Sequence, residues 1–200
     1  MTKTKICGLT RLCDIDAVNA VKLDYVGFVF AESRRKVTTE QAAKLKQLLR
    51  PSISVVGVFV DEPAPSILSL VNSGVIDVIQ LHGSENEEYI FELKQLTNKP
   101  VIKAISVQSK GDVQKWSETA ADFLLLDHKS GGTGHSFDWD LIGKVDGPFF
   151  LAGGLNAENV TKAIKKTTPF AVDVSSGVET NGVKNPIKIK EFIKAVINGQ

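Results

Sequence analysis

The sequence is short of several things that would have settled its class at once. Its 200 residues include two cysteines, one methionine, two tryptophans and two tyrosines. Cys7 and Cys13 lie on either side of a strand-to-helix turn and make no disulfide framework, so a reducing cytoplasm is the expected compartment. His82, His128 and His135 are scattered and no close Cys or His pair has ligand spacing, which argues against zinc. An excess of either charge is also missing, since 24 basic and 23 acidic residues are interspersed and leave a net charge of +1. Such a chain has no strong field with which to hold nucleic acid or an anionic membrane, and a small molecule is the expected partner. No apolar run has the length of a membrane span, residues 54–60 and 123–126 being strand-sized. The basic start is followed by Arg11, Asp14 and Asp16, which interrupt any signal-peptide core, and it is read as mature protein. A Gly-x-Gly-x-x-Gly fingerprint is absent after the first strand, where Cys7-Gly8-Leu9-Thr10-Arg11 stands.

What is present is alternation. Hydrophobic residues make up 42% of the chain, enough for one domain over residues 1–200 with a substantial core. Apolar runs of strand length recur at 3–7, 25–30, 54–60, 76–81, 100–105, 123–127, 149–151 and from 170. Helical periodicity follows most of them. Thr10 is the expected cap of a helix running to about Val21, a second helix starts at Thr39 and stops before Pro51, and a third opens near 63–66. Others are expected at 85–96, around 112–118, from Asp138, behind Asn156 as N-cap, and at 187–196. Eight alternations of strand and helix predict an α/β fold, a (β/α)8 TIM barrel of eight parallel strands with outer helices and short loops.

In such a barrel the carboxyl ends of the strands line one mouth, where barrel active sites lie. The sequence assigns Cys7, Arg35, His82, Asp127, Gly153, Gly154 and residues 173–176 to it. Ala152-Gly153-Gly154-Leu155-Asn156 and Asp173-Val174-Ser175-Ser176-Gly177 end consecutive strands at turns of small residues, where bare backbone N–H groups make a seat for one phosphate.

Cys7 stands beside a glycine and ahead of a helix N-terminus, a setting that lowers a thiol pKa, although a small apolar core residue would look the same in sequence. Asp127 emerges from Phe123-Leu124-Leu125-Leu126, so poor solvation would raise its pKa and make it a general acid; as a cap on the following loop, or beside Lys129, it would stay ionised. A thiolate facing a protonated carboxyl is a proton-transfer pair. Arg35, next to Arg34, is either a solvated charge or a fork for a second anion. His82 either bonds substrate or caps its strand, and Gly131-Gly132-Thr133-Gly134 is either a lid or an idle loop.

Taken together, Lys5-Ile6-Cys7-Gly8-Leu9-Thr10, Gly27-Phe28-Val29-Phe30 with Ser33-Arg34-Arg35, Val56-Gly57-Val58-Phe59-Val60, Gln80-Leu81-His82-Gly83, Leu125-Leu126-Asp127, Ala152-Gly153-Gly154-Leu155-Asn156 and Val172-Asp173-Val174-Ser175-Ser176-Gly177-Val178-Glu179 resemble the phosphoribosylanthranilate isomerases of tryptophan biosynthesis. The resemblance runs the whole chain in order, with Ala152 standing where many members carry serine. It implies an Amadori rearrangement of a small-molecule phosphosugar, N-(5-phosphoribosyl)anthranilate, without cofactor or metal; the sequence does not decide between a monomer and a homodimer. By that resemblance Asp127 protonates the furanose oxygen, Cys7 removes the C2 proton and Arg35 faces the anthranilate end. Gly153, Gly154, Ser175 and Ser176 then hold phosphate, while His82 and Asp173 contact substrate. Two rivals remain at this stage. One is the histidine-pathway isomerase, a family with aspartate at the end of strand one; the other is a non-catalytic phosphosugar-binding barrel, which would need the turns but not both Cys7 and Asp127.

Overall fold

Strands that are apolar on both faces must be covered on both, and here they close on themselves. A computed structural model describes residues 1–127, 138–143 and 145–199. Eight parallel strands run in sequence order round a closed barrel: β1 (Lys3–Cys7), β2 (Tyr25–Val29), β3 (Ser54–Phe59), β4 (Val78–Leu81), β5 (Val101–Ser106), β6 (Phe123–Asp127), β7 (Phe149–Leu151) and β8 (Ala171–Val174). Closure comes from β8 pairing with β1, with Lys5 opposite Asp173. The expected barrel is the observed fold.

Period two then decides which side chains meet inside. Val56, Val78, Ile102, Leu125, Phe150 and Ala171 build an interior cluster separate from the shell between strands and helices. Phe150 meets Tyr25, Phe123 and Phe170 with ring centroids 5.6, 5.5 and 5.7 Å apart, which plugs the barrel below the mouth. One step above this plug the inward positions turn polar, and the site begins there.

Outside lie α1 (Leu12–Asn19), α2 (Thr39–Gln47), α3 (Ala64–Asn72), α4 (Glu87–Leu96), α5 (Val160–Thr167) and α6 (Pro186–Asn198). Thr38, Asn86 and Asn185 cap α2, α4 and α6 by accepting backbone N–H bonds from the first turn. Two expected caps sit elsewhere. Helix α1 starts behind Arg11, not Thr10, because the Asp14 carboxylate reaches back to the N–H groups of both, at 3.0 Å each. Helix α5 starts behind Asn159, because Asn156 is spent on a preceding turn, accepting from Glu158 and Asn159 at 2.9 and 3.1 Å.

The helix expected around 112–118 is a three-residue 3₁₀ turn, Gln114–Trp116. Val113 is buried there, but Lys115, Ser117 and Glu118 give the segment no apolar stripe with which to dock a longer helix. The helix expected from Asp138 is likewise a 3₁₀ turn, Trp139–Leu141. After β8 the sequence reading has no strand, yet the chain folds a hairpin of β9 (Glu179–Thr180) and β10 (Val183–Lys184). Asn181 and Gly182 make its turn with φ of 51° and 80°, the left-handed pair that this kind of two-residue connection requires. Among the described residues no helix is long and apolar enough to cross a membrane.

Candidate active site

The carboxyl ends of the strands open on a cavity of about 570 Å³. That is room for a drug-sized ligand. Cys7, Arg35, His82, Asp127, Gly153, Gly154, Asp173, Ser175 and Ser176 all line it, so every site residue singled out in the sequence is brought to one place. Gly131-Gly132-Thr133-Gly134, His128, Lys129 and His135 lie outside the described residues.

Cys7 ends β1 facing inward, on the same side of the strand as Lys5. Its sulfur has room because β2 carries glycine opposite: a Cβ on Gly27 would stand 2.6 Å from Sγ. Gly27→Ala therefore pushes the sulfur off its position, and we expect kcat to fall while the barrel persists, as measured by steady-state rates beside a thermal melt. The expected lowering of the thiol pKa is not what the surroundings produce. Burial pushes the Cys7 thiol up, and Asp173 adds to this, while Lys5 and Lys184 oppose it and do not prevail. The physical reason is distance along the chain. Residues 8–11 separate Cys7 from the first turn of α1, and the N–H groups of Thr10 and Arg11 just ahead of that turn are already taken by Asp14. Cys13 is exposed on α1.

Asp127 ends β6, and its Oδ2 lies 3.7 Å from His82 Nε2. Burial pulls the His82 pKa down, outweighing the raising influence of Asp127, so the ring is neutral near pH 7. Gln80 Nε2 sits 2.9 Å from His82 Nδ1. An amide N–H donated there puts the ring proton on Nε2, on the Asp127 side. The loop carrying His82 is held by Glu85, which accepts from Gly83 N and Asp61 N at 2.9 and 2.8 Å and pairs with the buried Lys103 at 2.7 Å.

Gly153 and Gly154 turn with φ of 81° and 64°, a conformation side chains resist. None of the described residues accepts their backbone N–H groups. Asn159 braces this turn by donating to Gly154 O at 2.9 Å. The turn after β8 presses against it at Gly177, where a Cβ would meet Leu155 O at 1.9 Å. Only glycine permits that approach. The Ser175 hydroxyl is already committed, donating to Cys7 O at 3.0 Å and accepting from Lys184 Nζ at 3.2 Å. Any anion here meets backbone groups first.

Arg35 is neither solvated nor idle. Its Nε and Nη2 grip Glu179 at 2.7 and 2.9 Å, Arg34 adds a third bond at 2.8 Å, and Lys184 a fourth at 2.7 Å. Glu179 is buried, which would raise its pKa, but Arg35 and Lys184 outweigh burial and hold the carboxyl below its usual range. Three cations on one carboxylate leave the rim of the cavity positive, and one edge of the Arg35 fork still open.

Sequence reasoning missed Lys5, Gln80, Glu179 and Lys184. The last two could have been found, because Asn181-Gly182 between Glu179-Thr180 and Val183-Lys184 is a strong hairpin signal. Lys5 and Gln80 carry the inward parity of their strands, a weaker cue. Among the described residues no group of His, Cys, Asp and Glu could hold a metal ion.

A closed barrel with titratable groups and an open anion seat gathered at its carboxyl-terminal mouth is the architecture of a (β/α)8-barrel enzyme. Residues 4–195 match the family model described as N-(5'-phosphoribosyl)anthranilate (PRA) isomerase. The chain belongs to that family. It is 48% identical to the N-(5'-phosphoribosyl)anthranilate isomerase of Endomicrobium trichonymphae over 97% of its own length and 98% of that protein's. The phosphoribosyl anthranilate isomerase from Thermus thermophilus superposes with a TM-score of 0.89, at 32% identity and covering 100% of both chains. A phosphoribosyl anthranilate isomerase crystallised with reduced 1-(o-carboxyphenylamino)-1-deoxyribulose 5-phosphate superposes with a TM-score of 0.85, at 37% identity, covering 99% of this chain and 100% of that one.

Proposed function

We infer that the chain catalyses the Amadori rearrangement of N-(5-phosphoribosyl)anthranilate to 1-(2-carboxyphenylamino)-1-deoxyribulose 5-phosphate in tryptophan biosynthesis. One observation carries this beyond family membership: a thiol from β1 and a carboxyl from β6 face one cavity, and the strands between them, β7 and β8, end in two turns rich in glycine and serine.

Asp127 gives its proton to the furanose ring oxygen as the bond from that oxygen to C1 breaks, and the nitrogen lone pair forms the Schiff base. The Cys7 thiolate then takes the proton from C2. The C2–H electron pair becomes the C1–C2 double bond of an enol-amine, which tautomerises to the ketone. His82, neutral with its Nε2 toward Asp127, borders the group that must begin protonated. Gly153, Gly154 and Ser176 seat the phosphate through backbone N–H groups, with Ser175 fixing that wall to β1. Arg35, locked by Glu179, offers its open edge to the anthranilate carboxylate. Asp173 Oδ1, without a partner among the described residues, accepts a sugar hydroxyl.

The test is loss of phosphoribosylanthranilate fluorescence with purified protein across pH. One group must be charged and the other neutral, so kcat/KM is bell-shaped. Since burial holds the Cys7 thiol up, the alkaline limb belongs to Cys7, and the pairing of thiolate with protonated acid becomes rarer the higher that thiol titrates. This reverses the order that a lowered thiol pKa would give. The substrate phosphate, titrating near about 6, colours only the acidic limb. A profile with no alkaline limb removes the thiol from the mechanism.

A further inference from the structure

Lys5 is a fully buried cation of the barrel and the mechanism above gives it no task. It faces inward from the middle of β1, with no exposure, and its Nζ bonds Asp173 Oδ2 at 2.9 Å. Burying an ammonium is costly unless another charge needs it there. Asp173 supplies only part of the reason. Its carboxylate is nine-tenths buried, and its other oxygen, Oδ1, has no partner among the described residues, so the pair is not closed on itself. Two residues further along the same face stands Cys7, one layer nearer the mouth.

We propose that Lys5 is a positioning residue shared between Asp173 and Cys7, and that its ammonium is what makes the Cys7 thiolate accessible at the floor of a desolvated site. This rests on the reading of Cys7 as the base. The charges around the sulfur are few and each has a place. From β1 itself comes Lys5; from β8, Asp173, which competes for the same ammonium and repels a thiolate; from β10, Lys184, whose ammonium is already taken by Glu179 Oε1 at 2.7 Å and Ser175 O at 2.9 Å. β2 presents Gly27 opposite Cys7, and Arg35 beyond it is bound to Glu179. Across the mouth, His82 and Asp127 face each other. Among the described residues, Lys5 thus shares the sulfur's strand face while Lys184 and Arg35 are engaged elsewhere. Consistent with sharing, burial works against the Lys5 ammonium, yet Asp173 and Cys7 together hold its pKa above the ordinary value.

The arrangement makes two substitutions act in opposite directions on one thiol. In a Cys13→Ser background, so that Cys7 is the sole thiol, its ionisation is followed by ultraviolet thiolate absorbance and by alkylation rate against pH. Lys5→Met raises the midpoint by about 1–3 units, the usual effect of losing an opposite charge at close range. Asp173→Asn lowers it. In Lys5→Met the alkaline limb of kcat/KM moves up with the thiol, and the rate at neutral pH falls about tenfold per unit, because the reactive pairing becomes rarer. A residue that merely packs would change the rate without moving that limb. Should Lys5→Met fold poorly for want of a partner for Asp173, the double variant Lys5→Met/Asp173→Asn is compared with Asp173→Asn alone, and the same upward shift is expected. A midpoint that stays put in these comparisons overturns the proposal and leaves the base assignment standing. That assignment is read separately from turnover by Cys7→Ser, whose near-normal rate would remove both.

Discussion

Cys7→Ser lowers kcat/KM by about 10²–10⁴-fold and leaves the melting transition where it is. Serine fits the space that Gly27 leaves for the sulfur and keeps the backbone that Ser175 holds through Cys7 O. What it lacks is a conjugate base of useful population, since a hydroxyl ionises far less readily than a thiol. Packing alone would predict the reverse pattern, a shift in stability with rates little changed. Steady-state fluorescence assays beside a thermal melt separate the two, and a variant with near-normal turnover ends the role of Cys7 as proton acceptor.

Asp127→Asn produces a loss of the same order, again about 10²–10⁴-fold, for the complementary reason. An amide keeps the size of the side chain and can still face His82, but it has no acidic proton to give the ring oxygen as the sugar opens. On the proposed reading phosphate affinity stays near that of the parent, because the seat uses backbone N–H groups of the turns after β7 and β8 and not the Asp127 side chain. Calorimetry with inorganic phosphate checks this, and a parallel collapse of phosphate binding would show that the substitution had disturbed the mouth as a whole. Because acid and base serve successive steps on one substrate, the double variant loses much less than the product of the two single losses once either step is blocked.

Much of this site is written in short-range pattern. Cys7 and His82 are recognisable because an apolar run stops at them, and Gly153 and Gly154 because two small residues stand where a strand must turn into a helix. Arg35 was legible as a cation at the mouth but not as a fork already engaged, for Glu179 lies 144 residues away in sequence. The hairpin that delivers Glu179 was in principle readable from Asn181-Gly182. The direction of the Cys7 pKa was not. A rule about cysteines before helices gives one sign, and burial on the floor of the cavity, which no local window contains, gives the other.

By itself the sequence determined the eight strands, their order of appearance, the faces they turn inward and the small-residue turns at their ends. These follow from periodicity and backbone sterics over a few residues. Tertiary structure alone decided which distant charges meet: Lys5 with Asp173 through the closure of β8 on β1, 168 residues apart, Arg35 on Glu179, and His82 beside Asp127. A parallel barrel joins its first strand to its last, so a coupling such as Lys5 with Asp173 spans most of the chain and leaves no trace in any short stretch of it.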